Sequence, residues 1–263
     1  MNEQTNSVRT KKNPHFAARF PIVDNPKYMS SIIFNSLKAL KELPLSNDNS
    51  CPIKNENDFN DKEKLNAFLH WLIIYSEQKN LVSSTLLNNI IELGADVNNR
   101  LNNPKISDTF LGYCPLHIAC ALNKEIYAKT LLARNANPNT SVNDRKYRIY
   151  GITPLFISLQ NNHVLATQLV FFKDNSAKIS NLKYVTSDDE KTKNYIRESI
   201  VRGLDETFLE LALTKNEKYL LYIGLERLND LKDVYLYFHE YDKALIIQEL
   251  ISLIKATSSK NLQ

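Results

Sequence analysis

From Tyr28 onward, short apolar stripes of helical spacing alternate with polar turns. Met29, Ile32, Ile33, Leu37 and Leu40 recur at i, i+3, i+4, Ser30 or Ser31 can cap that segment, and Pro44 ends it. Ser46 to Asp61 is rich in Asn and Asp and reads as a loop. Downstream the pattern predicts short helices nearly everywhere. No stretch holds four clean two-residue alternations, so strands should be few, and no proline follows Pro154. Leu231, Val234, Tyr235 and Phe238, then Ile247, Leu250, Ile251 and Ile254, predict a helical hairpin near the C-terminus.

Many short helices joined by turns call for a search for internal repeats. Gly112–Asn139 and Gly151–Ala177 align without a gap, matching Gly112 with Gly151, Pro115 with Pro154, Leu116 with Leu155 and Asn123 with Asn162. Upstream, Asn66–Ile73 matches the same start, and its copy finishes at Leu93–Asn98. Downstream, Glu206–Asn216 is a fourth, degenerate copy.

Cys-Pro-Leu-His-Ile-Ala at 114–119, Thr-Pro-Leu-Phe at 153–156 and Gly-Ala-Asp-Val-Asn at 94–98 resemble the signature of the ankyrin repeat, with Leu131-Leu132 where its second helix should lie. The clear resemblance covers about residues 66–178 and a weaker one extends to about 230. It implies antiparallel helix pairs that bury their apolar faces only against neighbouring pairs, in a curved solenoid. Thr153 should cap a helix whose first residue is Pro154, and Cys114 should cap less well before Pro115. Gly94 and Asn135 should close second helices in the left-handed conformation. The resemblance also implies that His117 bonds locally to its turn.

The spacing departs from the usual period of about 33. Measured at Phe68, Pro115, Pro154 and Phe208 it is 47, 39 and 54 residues. Insertions are expected near Ser76–Ser84, between the helices of the first copy, and at Arg100–Leu111 and Thr140–Tyr150, which should project as fingers. The largest, around Asn181–Leu204, can hold an extra helix with Ser187 to Glu190 at its start, Ile196, Ile200 and Val201 on its apolar side and Gly203 at its end. The expected fold is therefore all-α: an ankyrin-type helical repeat solenoid with helical caps at both ends and long inter-repeat loops. Residues 1–27 should be a flexible N-terminal segment and 28–64 an N-terminal helical cap and loop. Residues 65–230 should hold about four repeats with an inserted helix near 187–203, and 231–263 a C-terminal helical hairpin cap and tail.

Composition narrows the function. With 263 residues, 43% of them hydrophobic and 24% charged, the chain can bury a sizeable core. No apolar run reaches the roughly 20 residues of a membrane span, and no secretory signal peptide is visible. Three cysteines point to reduced thiols, and a cytoplasmic location is expected. A net charge of +4 is too small to imply nucleic acid. The 31 asparagines against 5 glycines fit an AT-rich genome, as in some bacteria and protozoa.

Candidate chemistry is sparse. Cys114, His117 and Cys120 form a C-x2-H-x2-C run, but their positions rotate around a helix and no fourth zinc ligand is near in sequence. Their expected roles are cap, ankyrin histidine and core filler. No cysteine is tied to a base, no hydrolase or metalloprotease motif is present, and five glycines leave little for a phosphate loop. No catalytic residue, metal or cofactor is expected. The tyrosines Tyr219, Tyr222, Tyr235, Tyr237 and Tyr241 are expected mainly to pack the C-terminal end.

The fingers are the candidate partner-binding residues. Arg145, Lys146 and Arg148 interleave with Tyr147 and Tyr150 in one, and Arg100, Lys105 and Phe110 are the exposed candidates in the other. Tyr and Arg are favoured anchors of protein interfaces. Basic residues among aromatics also suit single-stranded nucleic acid, the less favoured partner here. The expected function is a non-catalytic protein–protein interaction module, monomeric by itself, that uses its concave face and projecting turns. The chain is similar to ankyrin-repeat effectors that intracellular bacteria deliver into host cells through specialised secretion machinery, which implies a host protein as partner. The alternative is a small hydrolase or transferase with its active site in the insertions or the non-repeat ends.

Overall fold

The computed structural model describes residues 51–76, 81–161, 165–166, 169, 177–209 and 217–260; at 81–84, 217–223 and 257–260 only the backbone is described. The expected N-terminal tail, the helix over Met29–Leu40, positions 210–216 of the fourth copy, and His15 and His163 lie outside these residues.

Local chemistry sets the helix starts. The Asp61 carboxylate accepts the N–H groups of Glu63 (2.9 Å) and Lys64 (3.2 Å) and opens α1 (Lys62–Tyr75). Helix α2 spans Leu81–Glu92. Helix α3 (Pro115–Ala121) starts on proline behind Cys114, whose side chain makes no cap hydrogen bond. Helix α4 spans Glu125–Ala133. Helix α5 (Pro154–Asn161) starts on the matching proline, and here Thr153 Oγ1 accepts the Phe156 N–H at 3.2 Å. Gly94 (φ 109°) and Asn135 (φ 65°) both take the left-handed conformation after second helices. The residue after each donates back into its helix, Ala95 N–H to Ile90 O (3.2 Å) and Ala136 N–H to Leu131 O (2.9 Å).

Matching helices meet matching helices: α1 packs on α3, α3 on α5, and α2 on α4. The core between them includes Phe68, Trp71, Leu72, Leu116, Ile118, Tyr127, Leu131 and Leu155, each 1% exposed or less. Asparagine side chains join the turns. Asn66 Oδ1 accepts the Asp96 N–H (2.7 Å), Asn98 Oδ1 the Asn137 N–H (2.8 Å) and Asn139 Oδ1 the Lys178 N–H (2.7 Å). Lys124 reaches across a layer and donates to the carbonyls of Ile73 (2.5 Å), Ile74 (3.1 Å) and Ser76 (2.7 Å), a cation on the C-terminal end of α1.

The all-α expectation needs correction. Strands β1 (Val142–Asp144), β2 (Ile149–Ile152) and β3 (Thr186–Ser187) form an antiparallel sheet in the order β1-β2-β3. The register pairs Val142 with Ile152 and Asp144 with Ile149 across a bulge, then Ile149 with Ser187 and Tyr150 with Thr186. Strands of two to four residues leave no alternation to detect in the sequence. Gly151 is required where the sheet meets the Ile179–Tyr184 3-10 turn. Its φ is +71°, and an added methyl would sit 2.5 Å from the Tyr184 carbonyl oxygen.

Helix α6 (Glu190–Leu204) is capped by Asp189, which accepts the Thr192 N–H at 2.8 Å, and buries Ile196, Ile200 and Val201. It packs on α5, the place in the row that the degenerate fourth copy was expected to fill. Phe208, the position matched to Pro115 and Pro154, instead lies in a π-helical turn (Asp205–Leu209) that continues α6. Gly203 lies at the end of the helix as expected, one residue before Leu204, and it also lets α6 approach α5, since an added methyl would lie 2.8 Å from Leu159 Cβ and 2.9 Å from its carbonyl oxygen. Gly203→Ala is therefore expected to cost about 1–3 kcal/mol through overpacking, read as a lowered urea midpoint. An unchanged midpoint would show that the two helices separate easily.

Helix α7 (Glu217–Tyr237) breaks at Gly224 (φ 74°, ψ 153°) and packs on both α8 (Tyr241–Lys260) and the 3-10 turn. Leu231, Val234, Tyr235, Ile247 and Ile251 are buried in this region. Tyr237 and Tyr241 are exposed, while the side chains of Tyr219 and Tyr222 lie outside the described set. A polar network ties α6 to this end: Tyr235 OH donates to Asp205 (2.8 Å), Lys243 pairs with Asp205 (2.5 Å), and Arg197 pairs with Glu240 (2.7 Å). Among the described residues no helix is long and apolar enough to cross a membrane.

Candidate interaction groove

The two fingers form one wall of a groove of about 440 Å³. The first finger is closed at its base by Leu101 N–H to Tyr113 O (2.9 Å) and Gly112 N–H to Leu101 O (2.7 Å), and it buries Leu101 and Ile106. Thr109, Phe110 and Tyr113 face the groove from it. The second finger is the β1–β2 hairpin, which contributes Asp144, Tyr147, Ile149 and Ile152. Ala121 of α3 and Phe156, Ile157, Gln160 and Asn161 of α5 form the opposite wall, and Thr192 and Tyr195 of α6 line it as well.

Burial divides these residues by role. Phe156 and Ile152 are almost fully covered and hold the floor. Tyr147 is 58% exposed and Tyr195 48%, so their rings offer open apolar area. Phe110 is half-buried and packs at 5.9 Å on Tyr113. Asp144 is held from two sides, accepting the Tyr147 N–H at 3.0 Å and the Tyr113 hydroxyl at 3.4 Å. Burial, with the Asp144 charge second, pushes the Tyr113 phenol well above its ordinary value. Gln160 Nε2 donates to the Tyr195 hydroxyl at 2.5 Å, joining α5 to α6.

Of the eight residues proposed from sequence, Phe110 and Tyr147 line the groove. Phe110 is half-buried against the core, where an exposed ring was expected, because the first finger folds back onto Tyr113. Arg145, Lys146 and Arg148 stand exposed at the hairpin tip, with Arg148 at φ 52° and the Lys146 ammonium 5.2 Å from the Tyr147 ring. Lys105 is exposed at the tip of the first finger. Arg100 is exposed but engaged, donating to the Ser141 carbonyl at 2.9 Å and so bridging the two finger bases. Tyr150 is turned to β3 and donates its hydroxyl to Asp188 at 2.8 Å. Tyr113, Gln160 and Tyr195 were not anticipated. Gln160 and Tyr195 come together only because α6 lies beside α5, a contact with no local signature.

Each described thiol and histidine has at least one structural contact. His70 sets its ring nitrogens against the carbonyls of Asn66 (2.9 Å) and Asn99 (3.2 Å). His117 Nε2 faces the Ile152 carbonyl at 3.2 Å, so its partner lies at the base of the next finger, not in the local turn that was expected. Burial pushes the His117 imidazole down to about 4 and lowers His70 as well. The Cys114 thiol donates to Asn98 O at 3.4 Å, and burial raises it; burial pushes Cys120 up to about 12. The C-x2-H-x2-C run therefore points to three separate places. Among the described residues no cluster of His, Cys, Asp and Glu is arranged to hold a metal ion.

Helices that pack on matching helices, with two projecting loops beside them, leave an open groove along one side of the described residues. Residues 111–144, which run from the end of the first finger through α3 and α4 into β1, match the family model of the ankyrin repeat. That match supports an ankyrin-repeat family and, with it, a protein–protein interaction module. Neither the curated proteins nor the solved structures gave a match.

Proposed function

We propose that this chain is a non-catalytic, ankyrin-type solenoid, covered at its ends by helical segments and monomeric by itself, that receives a protein partner in the groove between its fingers and first helices. The observation that carries this reading is the groove itself: two fingers and three helices converge on open faces of Tyr147 and Tyr195, beside the exposed cations of the hairpin tip. Aromatic area framed by arginine is the composition of binding hot spots. Burial of the His70 and His117 rings against main-chain carbonyls favours binding over the hydrolase or transferase alternative. The wider role in this reading is a bacterial effector acting on a host protein after delivery into the host cell. The Asn-rich, Gly-poor residue usage expected of an AT-rich genome is the sequence feature behind that role.

Capture from host and producer lysates on the immobilised chain, quantified by mass spectrometry, tests the groove. Tyr195→Arg, and separately the triple change Arg145→Ala, Tyr147→Ala and Arg148→Ala, are expected to lower capture of the specific partner roughly tenfold, about 1.4 kcal/mol. The melting temperature should stay near that of the unmodified chain, because all four side chains are exposed. Undiminished capture by both variants would remove the groove and fingers from the account.

A further inference from the structure

We infer that the groove selects a short acidic segment carrying a single large apolar side chain, so that the partner is recognised as a linear motif and not by a broad folded surface. The inference rests on the groove being the binding site and adds the chemistry of its occupant.

Charge on the fingers is one-sided. Positions 100–111 and 140–150 hold five cations, Arg100, Lys105, Arg145, Lys146 and Arg148, against two carboxylates, Asp108 and Asp144. Asp144 is turned inward, holding the Tyr147 N–H and the Tyr113 hydroxyl. Lys105, Arg145 and Lys146 are exposed, and none forms an ion pair with a described residue, whereas the exposed Arg148 already acts on the Asp189 carboxylate. An acidic segment laid along the tips supplies the missing counter-charge. Below the tips the chemistry changes to ring faces and aliphatic groups: Phe110, Tyr147, Ile149 and Tyr195 surround a space of about 440 Å³. That is room for one large side chain and its neighbours, and its burial there supplies anchoring energy. Helix α6 makes the space a pocket, because Tyr195, tied to Gln160, stands at one end of it.

The same features weigh against a nucleic-acid strand. Phe156 and Tyr113, two of the groove's rings, are 2% and 9% exposed, too covered to serve as successive stacking platforms.

Fluorescence anisotropy with defined probes tests this. The probe is a labelled dodecapeptide of glutamates around one central phenylalanine. Its comparators replace the phenylalanine with alanine or the glutamates with lysine, and an oligothymidylate stands for the nucleic-acid alternative. The glutamate–phenylalanine peptide is expected to bind, to weaken roughly tenfold on loss of the ring, and to lose a similar factor with Arg145→Glu, Lys146→Glu and Arg148→Glu together. Binding should also fall as salt rises. Equal binding of the alanine comparator, indifference to the charge reversal, or tighter binding of oligothymidylate would overturn the inference. If no peptide binds while Tyr195→Arg still loses the captured protein, the linear motif falls and the groove stands. If capture is also unaffected by Tyr195→Arg and by the finger change, both fall.

Discussion

Leu116→Ala is expected to cost about 2–5 kcal/mol, and Leu155→Ala a similar amount, the largest effects of any single substitution considered for this chain. Each leucine is 1% exposed and follows the proline that starts its helix, so each projects from the first turn of a helix flanked by helices on two sides. Removing most of the side chain takes away apolar contact and leaves a space that rigid neighbours fill only in part. The cost should spread along the row, since α3 is held between α1 and α5. Urea unfolding followed by circular dichroism would measure it. A loss below about 1 kcal/mol at both positions would mean that the layers can collapse around the gap, which close packing does not permit.

Stability is also expected to fall steeply as the pH drops from about 6.5 to about 4, with His117 contributing about 3 kcal/mol of the loss. The imidazole is buried and held down to about 4 when folded, against an ordinary value of 6.5. Between those values the unfolded chain binds a proton that the folded chain refuses. The stabilisation is therefore complete above pH 6.5, declines as the pH falls, and is gone below about 4. His70, lowered by the same cause, acts in the same direction. His117→Gln should be less stable than the unmodified chain at pH 7 and lose less on acidification. Parallel pH profiles for the two chains would place the acid sensitivity elsewhere.

Features fixed by a few neighbouring residues were legible in the sequence. Thr153 before Pro154 specifies a capped helix start, and Gly94 and Asn135 specify left-handed helix ends, because each depends on local backbone chemistry. The fingers were legible as insertions, though not as a β-ribbon. β3 is two residues long, and its partner β2 lies more than thirty residues away, so no local pattern announces it. Gly203 was legible in part. It sits at the helix end, one residue before Leu204, but its contact with Leu159 exists only in the assembled layers.

The groove was half legible for the same reason. Tyr147 is conspicuous beside three cations, so the tip could be picked from sequence. Tyr195 lies on a helix whose position beside α5 depends on the whole insertion, and Gln160 becomes a groove residue only when that helix arrives. Phe110 has no sequence neighbour that announces its burial, and it is partly covered by packing on Tyr113.

Hydrogen–deuterium exchange on the full chain, with and without its captured partner, bears most directly on the claim that this groove is where binding occurs. Slowed exchange is expected in residues 109–113, 144–152, 156–161 and 192–195, with little change along α8. Protection confined to α2, α4 or α8, leaving both fingers as exposed as before, would contradict it.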